Sequence, residues 1–421
     1  MDKELIAECR EILEYELIMA TGCTEPIAVA YASALAREAL GVMPEKLRIG
    51  CSGNIIKNVK SVVVPGTNGM KGIGAAAVIG AVGGDPKLKL DVLSGITEEH
   101  CIETKKLLDK KICTVYLLES DDPLCIRVDA TAGDDCSVVE IKGDHTNVVL
   151  LEKNGRELRT PDRKTKETHE PDYSVLSIAR ILDYAEVTDL SFEAPILERQ
   201  IECNSNMAQE GLQNDWGMCI GKLLMDASAE TSVQAKAMAA AGSDARMSGC
   251  LKPVVINSGS GNQGLTVSLP VIQYAKCLNA DHEKLLRALL ISNLCSIHIK
   301  HRIGRLSAFC GAVSAACGAG AAITWLEGGS REQINASIAN TLANVSGIVC
   351  DGAKPSCAAK IASALDAALM AHRLAMRGRQ FAAGDGLIAE DIEDTITKVG
   401  ELGREGMKET DREILRLMLD E

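Results

Sequence analysis

The spacing of apolar residues changes near the middle of the chain, and this change constrains the fold more than any other feature. From Leu47 to Leu151, short β-branched runs alternate with turn residues. From Tyr173 onward, almost every segment has helical spacing, interrupted by a glycine-rich loop at 257–264. Two helices are predicted before the mixed block, at 2–20 and 26–40. The sequence therefore predicts an α+β fold in which an N-terminal mixed α/β unit precedes an all-helical domain.

The segment from Glu152 to Pro171 predicts a domain boundary. It is charged and rich in turn residues, with Asn154-Gly155 near its start and Pro161 inside it. A chain of 421 residues also exceeds one ordinary domain. We expect the N-terminal helices and α+β domain at 1–170 and an all-helical domain at 171–421.

Composition and charge narrow the class of partner. Hydrophobic residues make up 46% of the chain but aromatic residues only 3%, a mix that suits close-packed helices with small contact residues. The net charge of -13 argues against nucleic acid or an anionic membrane as partner, because both attract cationic surfaces. The amphipathic start of the chain does not resemble a secretion signal, and no apolar run has membrane-spanning length. We expect a cytoplasmic protein that binds a small molecule, and base rates favour a homo-oligomer.

Sixteen cysteines in a chain without a secretion signal are poorly explained by disulfides. Disulfides are rare in the cytosol, so some thiols are candidates for metal binding or reactivity. In the helical half the candidates are Cys310, Cys317, Cys350 and Cys357, and the last two flank a bend that contains Gly352 and Pro355. Zinc sites use tighter spacing, whereas iron–sulfur clusters tolerate irregular spacing. Spacing alone leaves open whether these are ligands or ordinary buried cysteines.

Three motifs, in this order along the chain, carry a resemblance to a known family. They are Thr21-Gly22-Cys23-Thr24-Glu25-Pro26, then Lys71-Gly72-Ile73-Gly74 with a small-residue helix and Gly83-Gly84-Asp85-Pro86 after it, and then the loop at 257–264. Over nearly its whole length the chain resembles the L-cysteine desulfidase family, which is related to the bacterial iron–sulfur L-serine dehydratases. It departs from the dehydratases at Ile73, where they have histidine.

The resemblance implies a [4Fe-4S] cluster bound by Cys310, Cys350 and Cys357. Cys317 remains an alternative to Cys310, because a seven-residue spacing places both on one helix face. The chain has no cysteine after Cys357, so one iron is expected to be open to substrate. No lysine lies in a context typical of pyridoxal phosphate, and the cluster would replace that cofactor.

The resemblance also implies the roles of the remaining site residues. Cys23 corresponds to the base of the desulfidases, and a helix beginning after it would lower the pKa of its thiol. Substrate carboxylate binding is expected from backbone N–H groups of the glycine-rich loop, helped by a helix beginning at Leu265. Without the resemblance, an ordinary turn between two helices is the preferred interpretation of this loop. The residues are Ser258, Gly259, Ser260, Gly261 and Asn262.

Two charged segments have less specific interpretations. The string His298 to Arg302, with Arg305, would suit a carboxylate clamp, but a solvated helix face is the preferred interpretation. Asp244 and Arg246 would form an internal ion pair that organises the site or is only structural.

The function that the resemblance implies is an oxygen-sensitive lyase that converts L-cysteine and water to sulfide, ammonia and pyruvate. L-serine dehydration by the same residues is the nearest alternative. An alternative from another class is a non-catalytic iron–sulfur or thiol sensor, which would need exposed reactive cysteines and a partner surface.

Overall fold

The computed structural model describes residues 3–120, 122, 124–158, 171–304 and 307–419. Arg305, Pro161 and most of the predicted boundary segment lie outside these residues.

The N-terminal part contains helices around one mixed sheet. Its helices and strands are α1 Lys3–Glu16, β1 Met19–Thr21, α2 Thr24–Leu40, β2 Lys46–Cys51, α3 Gly53–Val59, α4 Gly72–Gly83, α5 Glu98–Asp109, β3 Cys113–Leu117, β4 Cys125–Ala132, β5 Asp135–Lys142, β6 Val148–Lys153 and β7 Arg156–Glu157. Six strands form one sheet in the order β3-β2-β4-β5-β6-β7. Only the β2–β3 pair is parallel. One of the β-branched runs of this block, at 61–64, is not a strand of the sheet, and its Val63 makes an isolated bridge with Lys71.

The rest of the described chain is almost entirely helical, and the predicted α+β fold is confirmed. Its helices and strand are α6 Ile178–Val187, α7 Glu193–Gln213, α8 Ile220–Ala227, α9 Thr231–Met247, β8 Pro253–Val255, α10 Gly261–Cys277, α11 His282–Ile303, α12 Gly311–Leu326, α13 Arg331–Val345, α14 Cys357–Met376, α15 Ile392–Glu401 and α16 Lys408–Leu419. The single strand β8 is the departure from an all-helical second half. None of the helices in the described ranges is long and apolar enough to cross a membrane.

Small residues let the helices approach closely, as the low aromatic content predicts. In the N-terminal part, α2 and α4 pack against each other, and a methyl group on Gly80 would lie 2.2 Å from the carbonyl oxygen of Ala30. In the helical part, a methyl group on Gly318 of α12 would lie 2.2 Å from the carbonyl oxygen of Ser292 on α11. Such contacts leave no room for a β-carbon, so glycine is required at both positions.

The two hydrophobic cores are linked by the ends of the chain. Residues of α1, such as Ile12 and Leu13, are buried with the helical core and not with the sheet. The first helix, predicted at 2–20, ends at Glu16. The strand β1 follows it and pairs with β8. At the other end, α16 lies on α3, where Lys57 forms an ion pair with Asp411. The boundary near residue 170 stays a prediction. The first helix packs against the helical half, and the last helix packs against the N-terminal half.

Candidate functional site

One cavity of about 140 Å³ contains residues from widely separated parts of the chain. This is well below the roughly 300–1,000 Å³ of sites for drug-sized ligands, so the cavity suits a small molecule. Its wall includes Cys23 and Glu25 near the start of α2 and Lys57 and Asn58 of α3. The helical half contributes Arg246, Ser258, Gly259, Ser260, Asn262, Gln263, Lys300, Cys310, Cys350, Cys357 and Lys360, among others.

Four helices begin at this cavity. Cys23 is the N-cap of α2 and Cys310 is the N-cap of α12, while Cys357 is the first residue of α14. Ser260 is the N-cap of α10. The N-terminal end of a helix carries partial positive charge and N–H groups without intrahelical partners, so it favours thiolates and other anions. Four such ends make this cavity a site for negative charge.

The local backbone explains why Cys310 and Cys350 face the same way. Phe309 and Val349 form an antiparallel bridge, flanked by hydrogen bonds from Cys310 N to Ile348 O (3.0 Å) and from Cys350 N to Ala308 O (2.6 Å). Alternate residues of an extended segment point to opposite faces, so the two cysteines share the face opposite Phe309 and Val349.

Cys357 reaches the same cavity through a turn. Gly352 adopts φ +94°, and a methyl group there would lie 2.0 Å from the carbonyl oxygen of Lys57. The thiol of Cys357 donates a hydrogen bond to Gly352 O at 3.7 Å. Asp351 pairs with Lys354 and Lys360, which fixes the turn between the two cysteines. The pKa of the Asp351 carboxyl is lowered because these ammonium groups outweigh the effect of burial.

Three cysteine thiols line this cavity, and thiols are the donor type that iron–sulfur clusters take. Burial raises the pKa of Cys310 to about 12, and the nearby Cys350 adds to the rise. Burial likewise raises the pKa of Cys357. A cationic centre would favour the thiolate forms of Cys310 and Cys357, and an iron–sulfur cluster takes one thiolate on each bound iron. In the ranges that the structure describes, no three His, Cys, Asp or Glu side chains have the geometry to hold one metal ion.

Cys23 is paired with Glu25. Its thiol donates a hydrogen bond to Glu25 Oε2 at 3.0 Å, and the other carboxylate oxygen accepts from Asn58 Nδ2 at 3.1 Å. The helix begins at Thr24, two residues before the predicted start at 26, and Cys23 occupies the N-cap position. Despite the helix end, burial raises the pKa of Cys23 well above its ordinary value, and the charge of Glu25 adds to the rise. Cys23 is therefore a thiol unless another group accepts its proton.

The glycine-rich loop lines the cavity and turns directly into α10. The helix begins at Gly261, four residues before the expected start at Leu265, with the Ser260 hydroxyl accepting from Gln263 N. Ser258 and Gly259 have φ of 49° and 74°, which gives the tight left-handed turn. Asn257 anchors the loop to α11, because its side-chain amide donates a hydrogen bond to Asn293 Oδ1 at 3.0 Å. This buried support fixes the positions of the loop N–H groups.

Arg246 supplies the cation that the loop lacks. It is 5% exposed, its Nη1 donates to Asn262 Oδ1 at 3.3 Å, and within the described residues its Nε has no hydrogen-bond partner. A methyl group on Gly261 would lie 2.3 Å from that Nε, so glycine allows the guanidinium to lie against the helix end. A buried guanidinium beside a helix N-terminus can bind a carboxylate.

The expected ion pair between Asp244 and Arg246 is not formed between these described residues. Asp244 Oδ2 accepts from Gly221 N at 2.9 Å and holds the start of α8. The pair was predicted from proximity in sequence, but the two residues are neighbours near the end of a helix and point to different surroundings.

The basic residues at 298–302 of α11 were expected on a solvated helix face. This expectation is wrong for His298 and Lys300, which are buried. Lys300 is 4% exposed, lines the cavity and donates to Gly304 O at 2.7 Å. Burial lowers the pKa of Lys300 to about 8, against the opposing effect of Cys350 and Cys310. His298 is also buried and pairs with Glu393.

Two further residues from the sequence interpretation lie elsewhere. Cys317 is fully buried within α12, in the helical core, and Ile73 is buried in the core of the sheet. Neither Cys317 nor Ile73 is among the described residues that line the cavity.

Sequence reasoning did not assign roles to Glu25, Asn58 or Lys57. Glu25 stands in the motif that contains Cys23, so its spacing could have suggested it. Lys57 and Asn58 carry no pattern of their own, because they reach the cavity only when α3 packs beside the cysteine loop.

Comparison with known proteins defines the class of this chain. The family model for the serine dehydratase alpha chain matches residues 87–416, so the chain belongs to this family, and the predicted relation to the serine dehydratases is confirmed. Family membership supports a serine dehydratase-like lyase.

Within that family, the chain is similar to curated proteins called UPF0597 proteins. It is 54% identical to one from Lachnoclostridium phytofermentans over 97% of this chain and 99% of the relative. It is 50% identical to one from Finegoldia magna, with the same coverage of both chains. A third, from Treponema denticola, is 45% identical over 100% of this chain and 99% of the relative.

Proposed function

We propose that this protein is an iron–sulfur lyase that eliminates sulfide from L-cysteine, giving ammonia and pyruvate after the released 2-aminoacrylate hydrolyses. The observation that supports this most is the composition of the one cavity, where Cys310, Cys350 and Cys357 stand with Cys23 and Arg246. Membership of the serine dehydratase family supports elimination as the reaction class. A small cavity suits a substrate of amino-acid size.

The substrate carboxylate would bind Arg246 and the first turn of α10. The helix end leaves N–H groups without intrahelical partners, and the guanidinium adds a full charge. Asn262 orients the guanidinium through its 3.3 Å contact. With the carboxylate bound there, the α-carbon would lie in the same cavity as Cys23.

Cys23 would remove the α-proton, and Cys310, Cys350 and Cys357 would hold a [4Fe-4S] cluster. When bound, the cluster supplies a Lewis-acidic iron for the leaving group. The positive helix ends at α12 and α14 help two of the three ligand thiols to remain deprotonated.

L-serine is the competing substrate. Sulfide leaves with less proton assistance than hydroxide, because thiols are far more acidic than alcohols. Cys23 and Glu25 form the proton-handling pair at the start of α2, and the motif that contains them is the desulfidase form. We therefore favour L-cysteine over L-serine. A non-catalytic sensor is disfavoured because Cys23 and Cys310 are buried, whereas a thiol sensor needs exposed reactive cysteines.

The test is anaerobic purification, counting of iron and sulfide, and a paired assay of sulfide from L-cysteine and pyruvate from L-serine. We expect about four irons per chain, by the definition of the cluster, and a higher kcat/KM for L-cysteine. Faster turnover of L-serine would assign the dehydratase activity instead. A chain that retains its cluster but turns over neither amino acid would support the sensor.

A further inference from the structure

Glu25 is the one carboxylate among the described side chains that line the cavity, and it is only partly buried. The described lining also contains four cationic side chains, which are those of Lys57, Arg246, Lys300 and Lys360. Two of these lysines form ion pairs with aspartates that do not belong to that lining. The cavity therefore has an excess of positive charge and one acidic position, at Glu25.

Neutral groups hold the Glu25 carboxylate in place. Its Oε2 accepts hydrogen bonds from the Cys23 thiol at 3.0 Å and from the Thr24 hydroxyl at 3.2 Å. Its Oε1 accepts one hydrogen bond, from Asn58 Nδ2 at 3.1 Å. Each carboxylate oxygen has about two acceptor positions, so the three donors leave about one position free, on Oε1.

The carboxylate is charged, yet no Lys, Arg or His of the described residues forms an ion pair with it. Burial raises the pKa of Glu25, but the charge of His145, the Cys23 hydrogen bond and the charge of Arg246 together hold it below its ordinary value. Glu25 is therefore ionised at neutral pH. Carboxylates surrounded by protein are normally paired with a cation, so Glu25 can pair with a cation that enters the cavity.

An α-amino acid carries its two opposite charges on one carbon, and the cavity contains a complementary group for each. Arg246 and the first turn of α10 suit the carboxylate, and Glu25 in the first turn of α2 suits the ammonium. Arg246 and Glu25 line the same cavity of about 140 Å³ without forming an ion pair with each other. Two groups that bind the opposite ends of one small zwitterion must be close in this way without touching.

We propose that Glu25 binds the α-ammonium group of the substrate, so that the site selects α-amino acids over carboxylic acids without an amino group. This inference rests on the proposed lyase function and adds the residue that recognises the substrate nitrogen. The Cys23 thiol is bonded to Oε2 of the same carboxylate. An ammonium at Oε1 would therefore bring the adjacent α-carbon toward the thiol that takes its proton.

The experiment compares two ligands that differ only in the amino group. L-alanine has the carboxylate and the ammonium but no leaving group, and propionate lacks the ammonium. Isothermal titration calorimetry of the anaerobically purified protein at pH 7 measures the dissociation constant of each ligand. We expect the wild-type protein to bind L-alanine about 10- to 150-fold more tightly than propionate, the range for one hydrogen bond to a charged group.

Glu25→Gln keeps the shape of the side chain and removes its charge. It should reduce the preference for L-alanine to less than about threefold, because only a neutral hydrogen bond then remains, and propionate binding should not weaken. Arg246→Met should weaken the binding of both ligands, because both carry the carboxylate. Glu38→Gln removes an exposed carboxylate from the same helix and serves as the matched control, with both dissociation constants unchanged.

The wild-type comparison decides the proposal even if a variant does not fold. Equal affinity for L-alanine and propionate, or no binding of either, would overturn the ammonium site. A folded Glu25→Gln protein that keeps the full preference, or that loses affinity for both ligands alike, would overturn it as well. The lyase function fails separately, if a wild-type protein that prefers L-alanine releases neither sulfide from L-cysteine nor pyruvate from L-serine. The ammonium site would then still stand.

Discussion

Cys310 and Cys350 face the same cavity because the bridge between Phe309 and Val349 sets both residues on one side of two extended segments. The two thiols are 40 positions apart in sequence. The third, Cys357, depends on a turn that packs on α3. The three proposed ligands are therefore positioned by tertiary contacts and not by a local sequence motif.

Replacing any one of Cys310, Cys350 or Cys357 with alanine should abolish the cluster. Each cluster ligand would hold a separate iron. Among the described residues that line the cavity, Cys23 is the one other cysteine that could replace a lost ligand. The measurement is iron and sulfide content after anaerobic reconstitution. Cys317→Ala is the matched control, because Cys317 is buried in α12 away from the cavity lining and should keep full iron content. Loss of iron in Cys317→Ala but not in Cys310→Ala would transfer the ligand role to Cys317.

Arg246→Met should weaken substrate binding. A hydrogen bond to a charged group contributes about 1.5–3 kcal/mol, so kcat/KM should fall roughly 10- to 150-fold, mainly through KM. Steady-state kinetics under anaerobic conditions give the result, with circular dichroism to confirm folding. Arg331→Gln, on the surface with Asp183 and Glu186 as partners, should leave both constants unchanged. A variant Arg246→Met with normal KM would show that the carboxylate binds elsewhere.

Gly352→Ala should destabilise the cysteine loop. Its φ of +94° disfavours any side chain, and the added methyl group would lie 2.0 Å from a backbone oxygen of α3. We expect the free energy of unfolding to fall by about 1–3 kcal/mol, together with poorer iron retention. Gly347→Ala is the control, since nothing lies within 4 Å of a methyl group at that position. Urea denaturation of both variants measures the difference, and equal losses would contradict this account.

The sequence predicted the fold where the signal is local. Alternating β-branched runs and helical spacing located the sheet and the helices, and the small residues at 72–82 became α4. The prediction missed β1 because a strand of three residues forms only when β8 lies beside it. It also missed the position of α1, since an amphipathic helix carries no information about which core it will join.

In the candidate site, too, residues with a local sequence signal were predicted, and residues positioned by tertiary packing were not. The cysteines and the glycine-rich loop were found from their residue types and from a family resemblance. Lys57 was not, because it reaches the site only through the packing of α3. Lys300 was assigned to a solvated face because helical periodicity cannot tell a buried cation from an exposed one when neighbouring charges surround it.

The pH dependence of stability should reveal the pair formed by His298 and Glu393. Their atoms Nε2 and Oε2 are 2.6 Å apart, and Glu393 Oε1 accepts from Ile178 N at 2.7 Å. Burial alone would raise the pKa of Glu393, but the hydrogen bond and the charge of His298 hold it below its ordinary value of 4.5. A carboxyl with a lowered folded pKa stabilises the protein above its unfolded pKa and loses this contribution as the pH falls through the folded value.

Glu393→Gln should therefore be less stable than wild type at pH 7, by about 1–2 kcal/mol for a charged hydrogen bond that is one-third exposed to solvent. The difference should shrink below pH 4.5, where the wild-type carboxyl becomes protonated and resembles the amide. Denaturant unfolding at pH 7, 5 and 4 measures both effects. Glu38→Gln, an exposed residue of α2, should show no such pH-dependent difference. A difference for Glu393→Gln that stays constant from pH 7 to pH 4 would mean that shape and not charge makes the contribution at this position.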